Sequence, residues 1–241
     1  MTDMNLTEIV CVLDRSGSME QIIDDAIGGI NRLIKDQQEM TEGRATMTIA
    51  LFDNEYLVVA ENKPVEMVQP FDRRTYKPRG STALLDAVGR TIDEMGRRYA
   101  NLPEDKRPGK VLFVILTDGH ENASRQYGYD RIAEMVKHQT DRYGWVFMYL
   151  SADIDAFTHA GRLNIGTSVS YRGTGQSIGA TYSVASSAAR QFRSYGASGM
   201  SIMDSCVDID AGGDVKVEPR DSSTTDGDVK VGSSSGTSGV N

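Results

Sequence analysis

The chain is poor in cysteine, with two in 241 residues. Cys11 falls inside an apolar run and Cys206 lies near the end. Two such residues make no disulfide framework and predict reduced thiols in a cytoplasmic protein. A basic cluster is also missing. The net charge is −8, and no Lys/Arg run exists to neutralise phosphates, which argues against a nucleic-acid partner. No stretch approaches the roughly 20 apolar residues of a membrane span, so no membrane partner is expected. The first residues, Met1 to Asn5, carry neither a basic start nor an apolar block, and no signal peptide is read there. Aromatic residues vanish from Ala211 onward, where Gly, Ser, Thr and Asp abound.

What remains is enough for a core, since 39% of residues are apolar. Ile9-Val10-Cys11-Val12-Leu13 has no polar alternation, so it reads as a strand covered on both faces. The run after it spaces Met19, Ile22, Ile23, Ala26, Ile27, Ile30, Leu33 and Ile34 as a helix packed on a sheet. Residues 45–52 and 56–60 flank Asp53-Asn54 and predict a hairpin, which puts one antiparallel strand at an edge. A polar stretch from Glu61 to Arg79 reads as a loop. Gly80-Ser81-Thr82 opens a second helix through Leu84, Leu85, Val88, Ile92, Met95 and Tyr99. Val111 to Leu116 reads as the central strand, ending in Thr117-Asp118-Gly119. A helix through Ile132 and Val136, a strand at 145–150, a short helix at 156–162, a brief edge strand at 168–171 and a helix through Ile178 and Phe192 follow. Alternation of this kind predicts an α/β fold. The expectation is a doubly wound, mostly parallel six-stranded sheet with one antiparallel edge strand.

Composition divides the chain into a domain at 1–197 and a tail at 198–241. The tail cannot bury enough surface to offset the entropy of ordering it. It contains an echo: Gly213-Asp214-Val215-Lys216-Val217 returns as Gly227-Asp228-Val229-Lys230-Val231. That echo reads as chance in a solvated tail, as a docking peptide presented twice, or as short strands that pair or extend a sheet edge. The last of these includes self-association into a homo-oligomer.

The chemistry gathers at Asp14-Arg15-Ser16-Gly17-Ser18. One carboxylate and two hydroxyls converge on the turn after the first strand, where open α/β sheets bind ligands. Thr82 and Asp118 sit at further strand or helix ends. The set Asp14, Ser16, Ser18, Thr82 and Asp118 is all hard oxygen, with no His or Cys, and suits Mg²⁺, Mn²⁺ or Ca²⁺. Two carboxylates leave such a cation short of anionic ligands, and a partner's carboxylate would complete it.

These three pieces resemble the metal-ion-dependent adhesion site of von Willebrand factor type A domains. The family pattern is Asp-x-Ser-x-Ser, then Thr, then Asp, and all five positions are matched. The order of strands and helices also fits from about Leu6 to Ser194, roughly four-fifths of the chain. The resemblance implies direct metal contact from Ser16, Ser18 and Thr82, with Asp14 and Asp118 acting directly or through water. It implies a non-enzymatic interaction module whose cation takes a Glu or Asp side chain from a protein partner. The short form with reduced cysteines is similar to bacterial and phage intracellular members.

Other readings stand beside these. Ser16 and Ser18 are also good helix caps. Arg15 and Arg79 either steer an acidic partner or are simply exposed. His120 and Glu121 either line the rim or are solvated loop residues. Asp153 and Asp155 suggest a second cation or an ordinary acidic helix start. A phosphoryl-transfer enzyme would also place aspartates around a cation. Against it, no Walker loop follows the first strand, and Ser151-Ala152-Asp153 stands where a receiver domain carries lysine. A structural or assembly component is the remaining alternative.

Overall fold

The computed structural model describes residues 1–152, 155–172 and 174–220. The first strand, β1 (Asp3–Asp14), is flanked on both sides. On one side lie β2 (Arg44–Phe52) and β3 (Tyr56–Pro64). On the other lie β4 (Pro108–Thr117), β5 (Val146–Ser151) and β6 (Thr167–Tyr171), then β7 (Ser205–Ile209) and β8 (Val215–Pro219). The order across the sheet is β3-β2-β1-β4-β5-β6-β7-β8. The β2–β3 and β7–β8 pairs are antiparallel and the five others are parallel.

Among the described residues, five α-helices cover the two faces: α1 (Ile23–Gln38), α2 (Leu84–Ala100), α3 (Tyr129–Tyr143), α4 (Ala156–Arg162) and α5 (Gly175–Tyr195). A strand's side chains alternate between faces. Ile9, Cys11 and Leu13 accordingly pack with Ile30, Leu33 and Tyr182 of α1 and α5. Val10 and Val12 pack with Val88, Ile132 and Ala156 of α2, α3 and α4. Burial on both faces explains the unbroken apolar runs of β1, β4 and β5.

The sheet differs from expectation at its far end. Among the described residues it has eight strands rather than six, both edges are antiparallel, and β6 is interior rather than an edge. The sheet also continues past residue 197, where composition suggested that the domain stops. The physical reason is a short amphipathic pattern. Met200, Ile202, Val207 and Ile209 are buried against the α1/α5 side, while Cys206 and Asp208 are half-buried. Five residues of alternation are hidden when composition is averaged over a Ser/Gly/Asp-rich stretch. The last three residues of the first GDVKV copy, Val215 to Val217, open β8. The second, at 227–231, lies outside the described residues, as does Asp153. At the other edge, β3 runs on to Pro64, with a register break and Asn62 at a φ of 43°.

Candidate metal centre

Connections from β1 run toward β2 and those from β3 return to β4, so the chain reverses direction across the sheet between β1 and β4. A crevice opens at the carboxyl ends of strands at such a point. Asp14 is the last residue of β1, and Asp118 directly follows β4. Ser16 starts a short 3-10 turn (Gly17–Ile22) that leads into α1. Its side chain caps nothing, so the capping alternative for Ser16 has no bond to support it.

Hydrogen bonds draw four of the five expected residues together. Ser16 N–H donates to Asp14 Oδ1 at 2.6 Å, and the Ser16 and Ser18 hydroxyls lie 3.1 Å apart. Ser18 Oγ donates to Asp118 Oδ1 at 2.7 Å, across 100 residues of sequence. Thr117 Oγ1 donates to Asp14 Oδ2 at 2.6 Å. Thr82 makes no hydrogen bond to the other four, yet it borders them. A Cβ on Gly119 would sit 3.4 Å from Thr82 Oγ1 and 3.6 Å from Ser18 Oγ. Asp14, Ser16 and Thr82 are buried, Asp118 is half-buried and Ser18 is exposed, so the cluster opens to solvent on one side.

The loops are joined mainly through their backbones. Arg79 N–H donates to Arg15 O at 2.8 Å, and Gly17 N–H to Gly80 O at 3.2 Å. Ala83 N–H reaches Asp53 O at 3.0 Å. Gly80 has a φ of +68°, and a Cβ there would fall 2.0 Å from Asn54 Oδ1. Only glycine serves both constraints. Asn122 N–H donates to Thr82 O (3.0 Å), and Thr82 N–H to Asn122 Oδ1 (2.9 Å).

Several second-rank residues were misread from sequence. Arg15 is buried, and its Nε lies 3.0 Å from Asp53 Oδ2. Arg79, half exposed, bonds the same Asp53 oxygen at 2.9 Å and also pairs with Glu55. Both arginines therefore hold the β2–β3 turn under the site. Glu121 is an anchor rather than a solvated residue. It accepts from the N–H groups of Leu85 (3.0 Å), Ala123 (2.9 Å) and Ser124 (2.7 Å), and so caps α2. Ser124 Oγ in turn accepts from Asp86 N–H at 3.0 Å. Beneath the site, the buried Tyr76 hydroxyl donates to Asp14 O and the Tyr171 hydroxyl to Thr117 O. No local pattern marks either tyrosine, because each acts over 54 residues or more.

The electrostatics of both carboxylates are set mainly by burial. Burial pushes the Asp14 carboxyl up to about 6; bonds from Thr117 and Ser16 oppose the rise and the Asp118 charge adds to it. Burial also raises Asp118, against the Ser18 bond. Among the described residues no salt bridge reaches either carboxylate. One buried and one half-buried acid, neither of them ion-paired among the described residues, form with three hydroxyls a donor set that fits a hard divalent cation. Clusters of three or more His, Cys, Asp or Glu that could hold a metal are absent among the described residues, so a centre here would depend on the hydroxyls.

No protein-family model matches the sequence, and no characterised protein matches it by sequence. Solved structures do resemble it in shape. The PilB minor pilin from Streptococcus sanguinis superposes with a TM-score of 0.56 at 14% identity, over 79% of this chain and 62% of that one. Its D319A mutant gives 0.56 at 13% identity, over 78% and 61%. The chain thus spans about three-fifths of the pilin chains it matches. A von Willebrand factor type A protein from Catenulispora acidiphila gives 0.51 at 15% identity, over 78% of this chain and 43% of that one. The α/β sheet described above has the fold of von Willebrand factor type A domains.

Proposed function

We propose that this chain is a non-enzymatic, metal-dependent protein-interaction module. Asp14, Ser16, Ser18, Thr82 and Asp118 hold one Mg²⁺, Mn²⁺ or Ca²⁺ ion, and a Glu or Asp side chain of a protein partner completes its shell. The observation that carries the reading is the Ser18–Asp118 bond at 2.7 Å, with Ser16 and Asp14 immediately behind it. It supports the view that residues remote in sequence were selected to converge their oxygens. The bound cation supplies a Lewis-acidic centre for the partner's carboxylate. The chain's own residues orient that centre: Thr117 and Ser16 aim Asp14, and Glu121 and Asn122 fix the Thr82 loop.

The fold likeness supports an interaction role, and the matched pilins are named as pilus components. Two unpaired thiols, Cys11 and Cys206, suit the cytoplasmic setting that belongs to this proposal. The test is pull-down from the source cell with Mg²⁺ or with excess chelator, using wild type and Ser16→Ala. Partner capture that depends on metal and fails with Ser16→Ala is expected. A partner retained equally in chelator refutes the metal-bridged mechanism.

A further inference from the structure

The two edges of the sheet are finished differently. Strand β3 is broken in register, carries Asn62 in the left-handed region and ends in Lys63-Pro64. Irregularities of this kind prevent another strand from pairing. Strand β8 also ends in a proline, Pro219, but its ladder runs without a shift from Ser205↔Pro219 to Ile209↔Val215 and holds no left-handed residue. All five of its residues are exposed, with Val215 at 46% and Val217 at 49%.

The hydrogen-bond parity of β8 defines what the open edge offers. Asp210 N–H donates to Asp214 O and Arg220 N–H to Asp204 O, each at 3.1 Å. Backbone groups alternate in direction along an antiparallel strand. Lys216 and Glu218 therefore turn their backbone groups toward β7. Val215 and Val217 turn theirs outward, and Pro219 presents only a carbonyl.

We propose that β8 pairs antiparallel with β8 of a second copy of this chain, about a two-fold axis through Val217. In that register Val217 exchanges both backbone bonds with its symmetry mate. Val215 N–H meets the carbonyl of Pro219 in the other copy, so the missing proline donor lies at the end of the ribbon. Lys216 then stands opposite Glu218 in a non-hydrogen-bonded pair, the closer of the two antiparallel pair types. The symmetry makes this charge match twice. Val217, beside Val207 on the α1/α5 face, gains a cross-strand apolar neighbour.

The second copy of the pentapeptide is the competing occupant. Gly232 stands there where Glu218 stands in the first copy, so it offers Lys216 no acid in the same register. Charge complementarity thus favours β8 on β8. A ribbon of five residues per strand is smaller than a stable interface of about 1,200 Å² or more, so the dimer is weak and concentration-dependent. Because β8 meets its mate antiparallel, the other strands of the two sheets also run in opposite directions. The carboxyl ends of β1 and β4 therefore face opposite ways in the two copies.

The test is sedimentation of the full chain from micromolar to millimolar concentration. Wild type is expected to show a monomer–dimer equilibrium. Lys216→Glu and Glu218→Lys each place like charges opposite one another and raise the dimer Kd about tenfold, while the double exchange restores it. Val217→Pro removes an outward N–H without touching the β7 ladder, and is expected to be monomeric with an unchanged melt. A wild type that stays monomeric throughout overturns the proposal. So does a dimer indifferent to both Val217→Pro and the charge reversals. Loss of the dimer with Val229→Asp/Val231→Asp, together with insensitivity to Lys216→Glu, assigns the edge to the second pentapeptide and equally overturns it.

Discussion

Replacing Asp14 by Asn separates the proposed metal-binding role of this residue from its structural one. In metal-free protein the Asp14 carboxyl titrates near 6, against 3.8 when free, because it is buried. An acid raised in the folded state favours folding below its unfolded pKa, and that contribution is lost as pH rises through the folded pKa. Metal-free wild type therefore loses stability between about pH 4 and 6, and a shift of roughly two units sets an upper limit of about 3 kcal/mol. Asparagine carries no charge and keeps the bonds. Its oxygen can accept from Ser16 N–H, and Thr117 Oγ1 can accept from its amide while donating to Gly119 O, 3.1 Å away. In chelator at pH 8, Asp14→Asn should melt higher than wild type, by at most about 6 to 12 °C for a chain of this size. The gap should narrow as pH falls below 6 and close below about pH 4. Saturating Mg²⁺ reverses the order. It stabilises wild type by about 4.1 kcal/mol at a thousandfold excess over Kd, and leaves the variant unmoved. Scanning calorimetry across pH, with and without metal, reads all three effects. A variant less stable than wild type in chelator at pH 8, or one stabilised by metal as much as wild type, refutes the reasoning.

Three further outcomes follow from the surrounding shell. Gly80→Ala adds a Cβ at a φ of +68°, 2.0 Å from Asn54 Oδ1, and should cost about 1–3 kcal/mol in urea unfolding. Glu121→Ala leaves three N–H groups without their acceptor, costs about 1–2 kcal/mol and weakens metal binding measured by calorimetry. Burial pushes the Cys11 thiol up to about 12, so in native protein at pH 8 a thiol reagent should modify Cys206 alone, and Cys11 only on addition of denaturant.

The strands and helices up to Tyr195 were legible because burial on one or two faces imposes a period that a short window can read. The gathering of the five proposed metal ligands at one end of the sheet was legible for a different reason: a carboxylate and hydroxyls recur at strand ends, where side chains project into the crevice. Arg15 and Glu121 were not legible. Their partners, Asp53 and the α2 amides, lie some 36 to 38 residues away and become neighbours only through the topology. Strands β7 and β8 escaped because five alternating residues in a polar stretch carry too little apolar area to stand out. Their pairing is decided by the edge that β6 provides.

The joints between the loops of the metal centre are chiefly main-chain to main-chain: Arg79 to Arg15, Gly17 to Gly80, Ala83 to Asp53, Asn122 to Thr82. Such joints do not depend on the identity of the exposed side chains beside them, such as Glu20 and Ser81. Those positions form a collar that can be randomised without loosening the scaffold. Partner choice can then be rewritten there, by selection or by evolution, while the ion-holding chemistry stays constant.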